Sequence, residues 1–394
     1  MRPARVLAGV LACAAAVAAA SGCGATADQD ALGPLTVYVS VPLRGDSAAD
    51  GSDIRDGAML ALEQADGKAG EVEIKPRVLD DGDRRGWTPA AVARNARAAS
   101  EDTSAIAYIG DFESGATRVS LPITNQAMVP QVSPASTALD LATPGPDAGT
   151  EVPELVQPTG ARTFVRVIPD DGVQAEAAAA WARKLGVRRV ATLTDGSKFG
   201  DLVVEEFSEA AEGLGIDLVE AGGPGAIARA RAELVYYGGE ARGALPRLRA
   251  AAEAAPDAIL MSTDALLMDP ELLGAAGDLE GRLRLTASAE DPEQLPNAGQ
   301  DFEVDFRREY GRAPGPYAAY GYEAMALVLD AIERAGAAAE DRRAVLEELL
   351  ATSDRDSVLG TYSITAVGNT TLAALAGYRI KNREPVFDLP LGAP

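Results

Sequence analysis

The sequence predicts an α/β protein made of two doubly wound parallel-sheet lobes, each sheet covered by helices on both faces. Three observations carry that expectation. Short apolar, β-rich runs alternate with helix-periodic stretches along most of the chain, the pattern of repeated βα units. The alternation runs twice, separated by a Pro/Gly/acid-rich stretch, Thr143–Gly160, that lacks any period and reads as a surface loop. The length of 394 residues, 47% hydrophobic and 24% charged, is enough for two or three packed domains.

Taken in order, Leu35–Ser40 is β-rich, Asp53–Asp66 helix-periodic, Glu71–Leu79 alternating and Pro89–Glu101 an Ala-rich helix. Ala105–Gly110 is a buried strand, followed by a helix at Ser114–Ala127 and a strand at Pro130–Ser133. The second series runs helix Gln174–Leu185, strand Arg188–Thr194, helix Gly200–Leu214 and strand Asp217–Glu220. A short Ala/Arg helix, strand Leu234–Gly238, helix Ala241–Ala255 and strand Asp257–Met261 continue it. Each series makes a lobe of about 120 residues. Arg282–Ser288 reads as a further strand, and Phe302–Tyr310, Tyr320–Gly336 and Arg342–Ala351 as amphipathic helices. The tail, Leu372–Ile380 and Glu384–Asp388 around Lys381-Asn382-Arg383, reads as a strand pair with a short turn.

Composition removes several classes of chemistry. There is no histidine, and the only cysteines are Cys13 and Cys23, which excludes His-dependent triads, imidazole-bound zinc and a multi-disulfide scaffold. No metal or cofactor is expected. Lys+Arg is 36 against Asp+Glu 59, a formal charge of −23, and so acidic a field repels nucleic acid. Neither a phosphate-cradling G-x-x-x-x-G-K loop nor a dinucleotide fingerprint is present.

The N-terminus carries an address. Arg2 and Arg5 precede an apolar run, Val6–Ala20, of signal-peptide length and shorter than the roughly 20 residues of a spanning helix. It ends in Ala20-Ser21-Gly22-Cys23, which resembles the bacterial lipobox that is cleaved before an acylated cysteine. An ordinary secretory signal with an incidental cysteine is the alternative. On the first reading residues 1–22 are a lipoprotein signal peptide, Cys23 is the lipidated first residue, and 23–33 is a flexible tether. The mature chain then carries 34 basic and 59 acidic residues, or −25.

In open α/β sheets ligands bind beyond the carboxyl ends of strands. In the first series those ends lead into Asp111-Phe112-Glu113-Ser114-Gly115-Ala116-Thr117 and Ser133-Pro134-Ala135-Ser136-Thr137. Hydroxyls and amides at Ser114, Ser136 and Thr137 can together hold a carboxylate, whereas each taken singly reads first as a helix cap. In the second series Asp264, after an apolar strand, can pair with a ligand ammonium. Phe199 is a cleft aromatic or helix packing, and Glu240 a second cleft acid or a first-turn helix acid.

Tyr108-Ile109-Gly110 with Ser114, Val132-Ser133-Pro134-Ala135-Ser136-Thr137, Arg162-Thr163-Phe164-Val165-Arg166, Tyr236-Tyr237-Gly238-Gly239 and Tyr322-Glu323-Ala324 together resemble the branched-chain amino-acid ABC-transporter substrate-binding proteins, of the type I periplasmic-binding fold. The resemblance covers Leu35 to the C-terminus. It implies three hinge crossings, with the first lobe at 34–163 and 287–358 and the second at 164–286 and 359–394. It further implies an interlobe ligand, an amino acid or related zwitterion. Ser114 and Thr137 match the family's α-carboxylate partners, Ala135 the carbonyl offered to the α-ammonium, and Asp264 the acid opposite that ammonium. An ABC permease is the implied partner, the membrane is reached through the lipid anchor, and the chain acts as a monomer without catalysis.

Three departures bear on the ligand. Phe199 stands where many relatives have Tyr, Glu240 follows Gly238-Gly239 where a family aromatic usually closes over the side chain, and Asp264 is one methylene shorter than the usual Glu. With Glu113 also near the cleft, a ligand with a polar or cationic end fits better than a purely aliphatic one. A ligand sensor on the same fold and an extracytoplasmic enzyme using paired carboxylates are the alternative functions.

Overall fold

The computed structural model describes residues 33–144, 152–220, 223–267 and 269–392. The proposed signal peptide, Cys23 and the tether as far as residue 32 lie outside the described residues, as does the middle of the Thr143–Gly160 loop.

The first sheet and its helices comprise β1 (Leu35–Val41), α1 (Ala48–Gln64), β2 (Lys68–Ala69), β3 (Val72–Asp80), the small hairpin β4 (Gly82–Asp83) and β5 (Gly86–Trp87), α2 (Pro89–Glu101), β6 (Ala105–Ile109), α3 (Ser114–Gln126), β7 (Gln131–Ser133) and β8 (Phe164–Arg166). The strand order is β2-β3-β1-β6-β7-β8, parallel except for the β2–β3 hairpin. All seven residues of β1 are buried, as expected of a strand flanked by partners on both edges and helices on both faces. Helix α2 begins where Thr88 caps it, accepting from the Ala91 amide at 3.2 Å, with Pro89 in the first turn.

The second lobe begins with α4 (Asp171–Lys184), β9 (Arg189–Thr194), α5 (Lys198–Gly213), β10 (Asp217–Glu220), α6 (Pro224–Ala230), β11 (Leu234–Gly238), α7 (Ala244–Ala254), β12 (Ile259–Ser262), α8 (Pro270–Ala275) and β13 (Leu283–Ala287). Then come α9 (Asn297–Tyr310), α10 (Ala318–Ala335), α11 (Arg342–Leu350), the hairpin β14 (Arg355–Ser357) and β15 (Gly360–Tyr362), and finally β16 (Ala374–Lys381) and β17 (Glu384–Gly392). The second sheet runs β10-β9-β11-β12-β13-β16-β17. Its last two strands are antiparallel, so a parallel sheet ends in an antiparallel ribbon.

The chain passes between the sheets after β8, after β13 and before β16, making three crossings. One core joins Val37, Val39, Ile106 and Ile109 of the first sheet to Phe302, Tyr320, Val328 and Tyr362 of the returning segment. The returning segment docks by backbone contact. A Cβ on Gly57 of α1 would lie 2.0 Å from the Ala318 carbonyl oxygen, and one on Gly321 of α10 would lie 2.2 Å from that of Ile54, so these helices meet only because both positions are glycine. The second lobe has cores on both faces of its sheet, one including Val235, Leu260 and Ile380, the other Trp181, Phe207, Tyr236 and Leu391.

Two expected boundaries move. Phe164–Arg166 pairs with β7 in the first sheet, so the first crossing falls after Arg166 and not at 164. Leu359, Tyr362, Ile364 and Leu372 belong to the first lobe's core, which moves the last crossing from 359 to just before Ala374. The reason is the same in both places: three-residue strands and isolated apolar contacts carry no readable period.

Candidate functional site

The cleft wall in the first lobe is set by the turn from β6 into α3. Gly110 sits at φ +145°, and a Cβ there would lie 2.5 Å from the Ser40 carbonyl oxygen, so the turn requires glycine. It carries Asp111 into the interior, where the carboxyl accepts from Tyr108 Oη at 2.8 Å and from Ser120 Oγ. Burial pushes Asp111 up to about 6, against the pull of these hydroxyls. Beyond Glu113 the helix begins with Ser114 and Gly115, whose amides have no partner within the helix.

The second wall segment follows β7. The buried Arg166 guanidinium donates through Nη1 to the carbonyls of Ser136 at 3.1 Å and Ala138 at 3.0 Å. Its Nε donates to Asn369 at 2.8 Å, and Asn369 in turn donates to Asp170 at 2.7 Å. One side chain thus fixes the 136–138 turn and ties it to two of the crossings. The Ala138 amide donates to Ser114 Oγ at 3.2 Å, which locks the two wall segments together.

Opposite them, the second lobe contributes Phe199 from the first turn of α5, Glu240 after β11, and Asp264 and Ala265 after β12. Asp264 receives a hydrogen bond from the Gln174 side chain and a long one, 3.4 Å, from the Ser288 amide. Burial raises its carboxyl despite those donors. Beneath it Asp171, almost fully buried, is pushed up to about 7 by burial and then by the Asp264 charge.

These segments enclose a cavity of about 360 Å³, at the small end of the roughly 300–1,000 Å³ typical of ligand pockets. Six of the seven residues singled out in the sequence line it: Ser114, Ala135, Thr137, Phe199, Glu240 and Asp264. Ser136 does not. Its hydroxyl is fully buried, shares a 2.7 Å hydrogen bond with Thr117 and donates to the Asp111 carbonyl at 3.1 Å, so it braces the wall. Ser114 is the first residue of α3, and the cap position belongs to Glu113, so Ser114 is not a cap either.

The structure adds Trp87, Phe112, Arg118 and Tyr317 to the lining. Phe112 and Tyr317 meet edge to face with centroids 4.9 Å apart. Arg118 lies four residues after Ser114 on the same helix face, a spacing visible in the sequence. Tyr317 comes from the returning segment and had no local signal. Arg118 forks onto Asp140, with Nη2–Oδ1 2.7 Å and Nε–Oδ2 3.1 Å. The second lobe's Lys198 reaches the same carboxylate at 2.8 Å, so an ion chain crosses the cleft mouth. The remaining lining charges, Glu113, Glu240 and Asp264, are all acidic.

The first lobe therefore offers hydroxyls, helix-start amides and the acid Glu113, and the second offers Glu240 and Asp264, around a cavity that both lobes line. That arrangement defines a two-lobed ligand-capture protein. The chain belongs to the periplasmic binding protein family, which it matches over residues 34–385. A leucine-binding protein from Thermotoga maritima superposes with TM-score 0.70 at 24% identity, over 91% of this chain and 99% of its own. An ABC transporter substrate-binding protein from Desulfitobacterium hafniense in complex with leucine gives TM-score 0.72 at 20% identity, over 90% and 100%. An R. palustris ABC-transporter solute-binding protein in complex with benzoate gives 0.67 at 20%, over 92% and 97%. No curated protein matches the chain significantly.

Proposed function

We propose that this chain is the lipid-anchored, extracytoplasmic solute-binding component of an ABC importer, and that it captures an amino acid or a closely related zwitterion by hinge closure. The observation that carries the reading is the polarity of the cavity: hydroxyls and a helix-start amide at Ser114, Gly115 and Thr137 on one lobe, and the half-buried acid Asp264 on the other. A ligand carboxylate gains from hydroxyls and helix-start amides, and an ammonium gains from Asp264. Neither lobe alone grips both ends, so the ligand favours the closed state through contacts it makes only there.

Leucine and benzoate, found in complexes of two similar proteins, both carry a carboxylate, which supports a carboxylate-bearing ligand here. Leucine also has an ammonium to offer Asp264, whereas benzoate would leave that acid unpaired. Acting as a monomer and without turnover, the protein would release its ligand unchanged to a permease. Micromolar capture corresponds to about −8 kcal/mol, within reach of charge-assisted contacts at both ends of a small ligand.

The test is a thermal-shift screen of amino acids, amides, polyamines and aromatic acids, with Asp264→Ala alongside. A ligand at about 100 times its Kd adds ~2.7 kcal/mol of stability. Asp264→Ala is expected to abolish the shift given by an amino acid and to spare that of an acid lacking an amine. Amino acids that shift wild type and variant equally would remove Asp264 from the ammonium role.

A further inference from the structure

The cavity wall holds a carboxylate that the zwitterion grip does not use. Glu113 makes no capping bond to α3. Its Oε1 accepts from Ser47 Oγ at 2.9 Å, while Oε2 is buried without a partner. Behind it lies Asp81, fully buried, with neither oxygen partnered. Buried polar atoms seldom go unpaired in a native protein, and three on two neighbouring carboxyls mark a place built for donors.

The surroundings say which donors. Trp87 lines the same wall, its indole packed so tightly on Gly115 that a Cβ there would lie 2.7 Å from Cζ2. Indole beside carboxylate is a favourable setting for a cation. Among the described residues the one basic side chain in the lining, Arg118, is committed to Asp140, and Glu240 adds further negative charge from the opposite lobe. An aliphatic group in this space would leave the buried Glu113 Oε2 with nothing to receive. An amine or guanidinium would satisfy it.

We propose that Glu113, with Trp87 beside it and Asp81 behind it, is the subsite for a positively charged group at the far end of the ligand, so that the cavity selects a cationic amino acid over its neutral counterpart. This rests on the zwitterion grip proposed above for the ligand's head. Burial pushes the Glu113 carboxyl up to about 7, and an arriving cation holds it ionised, so capture and ionisation reinforce each other.

The experiment compares matched pairs on the full-length chain at pH 7.5 by isothermal titration: L-arginine against L-citrulline, and L-lysine against L-norleucine. Each pair keeps the α-carboxylate and α-ammonium and differs in the charge of the terminus. At least one cationic member is expected to bind on the order of 10- to 100-fold more tightly than its partner, the span of a charge-assisted hydrogen bond. In Glu113→Gln that preference should fall to within about threefold, through loss on the cationic side alone. Neutral members that bind as well as or better than cationic ones in the wild type would overturn the proposal and leave the head grip standing. A wild-type preference that survives Glu113→Gln would also overturn it. Failure of all four to bind would overturn the head grip and this inference with it. The wild-type comparison decides the matter even if the variant does not fold.

Discussion

Replacing Asp81 with asparagine should stabilise the protein, and by an amount that depends on pH in a defined way. Asp81 lies between β3 and the β4–β5 hairpin, fully buried with both oxygens unpartnered. Burial, then the charges of Asp111, Glu113 and Asp80, push its carboxyl from 3.8 up to about 9. At pH 7 the folded protein therefore holds a proton that the unfolded chain has already lost. A folded-state pKa raised in this direction contributes stability below pH 4 that is lost progressively as the pH climbs toward 9. At about 1.36 kcal/mol per pH unit the cost is roughly 4 kcal/mol at pH 7 and roughly 1.5 at pH 5. Asparagine has the same shape and no proton to acquire, while its amide remains as poorly partnered as the acid. Asp81→Asn should thus gain roughly 2–4 kcal/mol at pH 7 and almost nothing at pH 4. Urea denaturation of both proteins at several values from pH 4 to 8 measures the difference directly. A gap that does not vary with pH, or a variant less stable at pH 7, would refute the reasoning.

Two further outcomes concern the cleft mouth and the anchor. Lys198 of the second lobe pairs with Asp140 of the first at 2.8 Å with its side chain largely exposed, so the pair is worth at most about 1 kcal/mol. Lys198→Ala should speed ligand release up to about fivefold at low salt and hardly at all at high salt, as read by stopped-flow fluorescence, and an unchanged release rate at low salt would show that the pair does not hold the lobes. Cys23→Ser should abolish incorporation of labelled fatty acid and release the exported chain from the membrane fraction, whereas a variant that stays membrane-bound would point to another anchor.

The strand-to-helix rhythm was legible because buried parallel strands are short continuous apolar runs and their covering helices are periodic. That Ser114, Thr137 and Asp264 line one cavity was legible for a related reason: each lies in the loop or helix start that follows a strand, and strand ends are where such sheets expose their loops. Ser136 shows where this stops. It differs from Thr137 by one position, and only the three-dimensional turn, fixed by Arg166, decides which hydroxyl faces the cavity and which faces Thr117. Tyr317 was invisible because it reaches the site from a segment that crosses back after β13. Trp87 joins the wall by packing on the bare backbone of Gly115, a contact that no periodicity announces. The crossings at Arg166 and near Ala374 were misplaced because a three-residue strand such as β8 has too few residues to show alternation.

The ribbon β16–β17 has a consequence for how the protein is made. It pairs with β13, and through β13 it completes a sheet whose other strands, ending with β13 at Ala287, all precede the ribbon's start at Ala374 by a long stretch of chain. A polypeptide that emerges N-terminus first leaves the outer edge of β13 without a partner until its last stretch arrives, and an open edge invites pairing with other chains. The first lobe faces no such delay beyond its own returning helices. Maturation of the two halves is therefore staggered, with the acid-bearing jaw finished last.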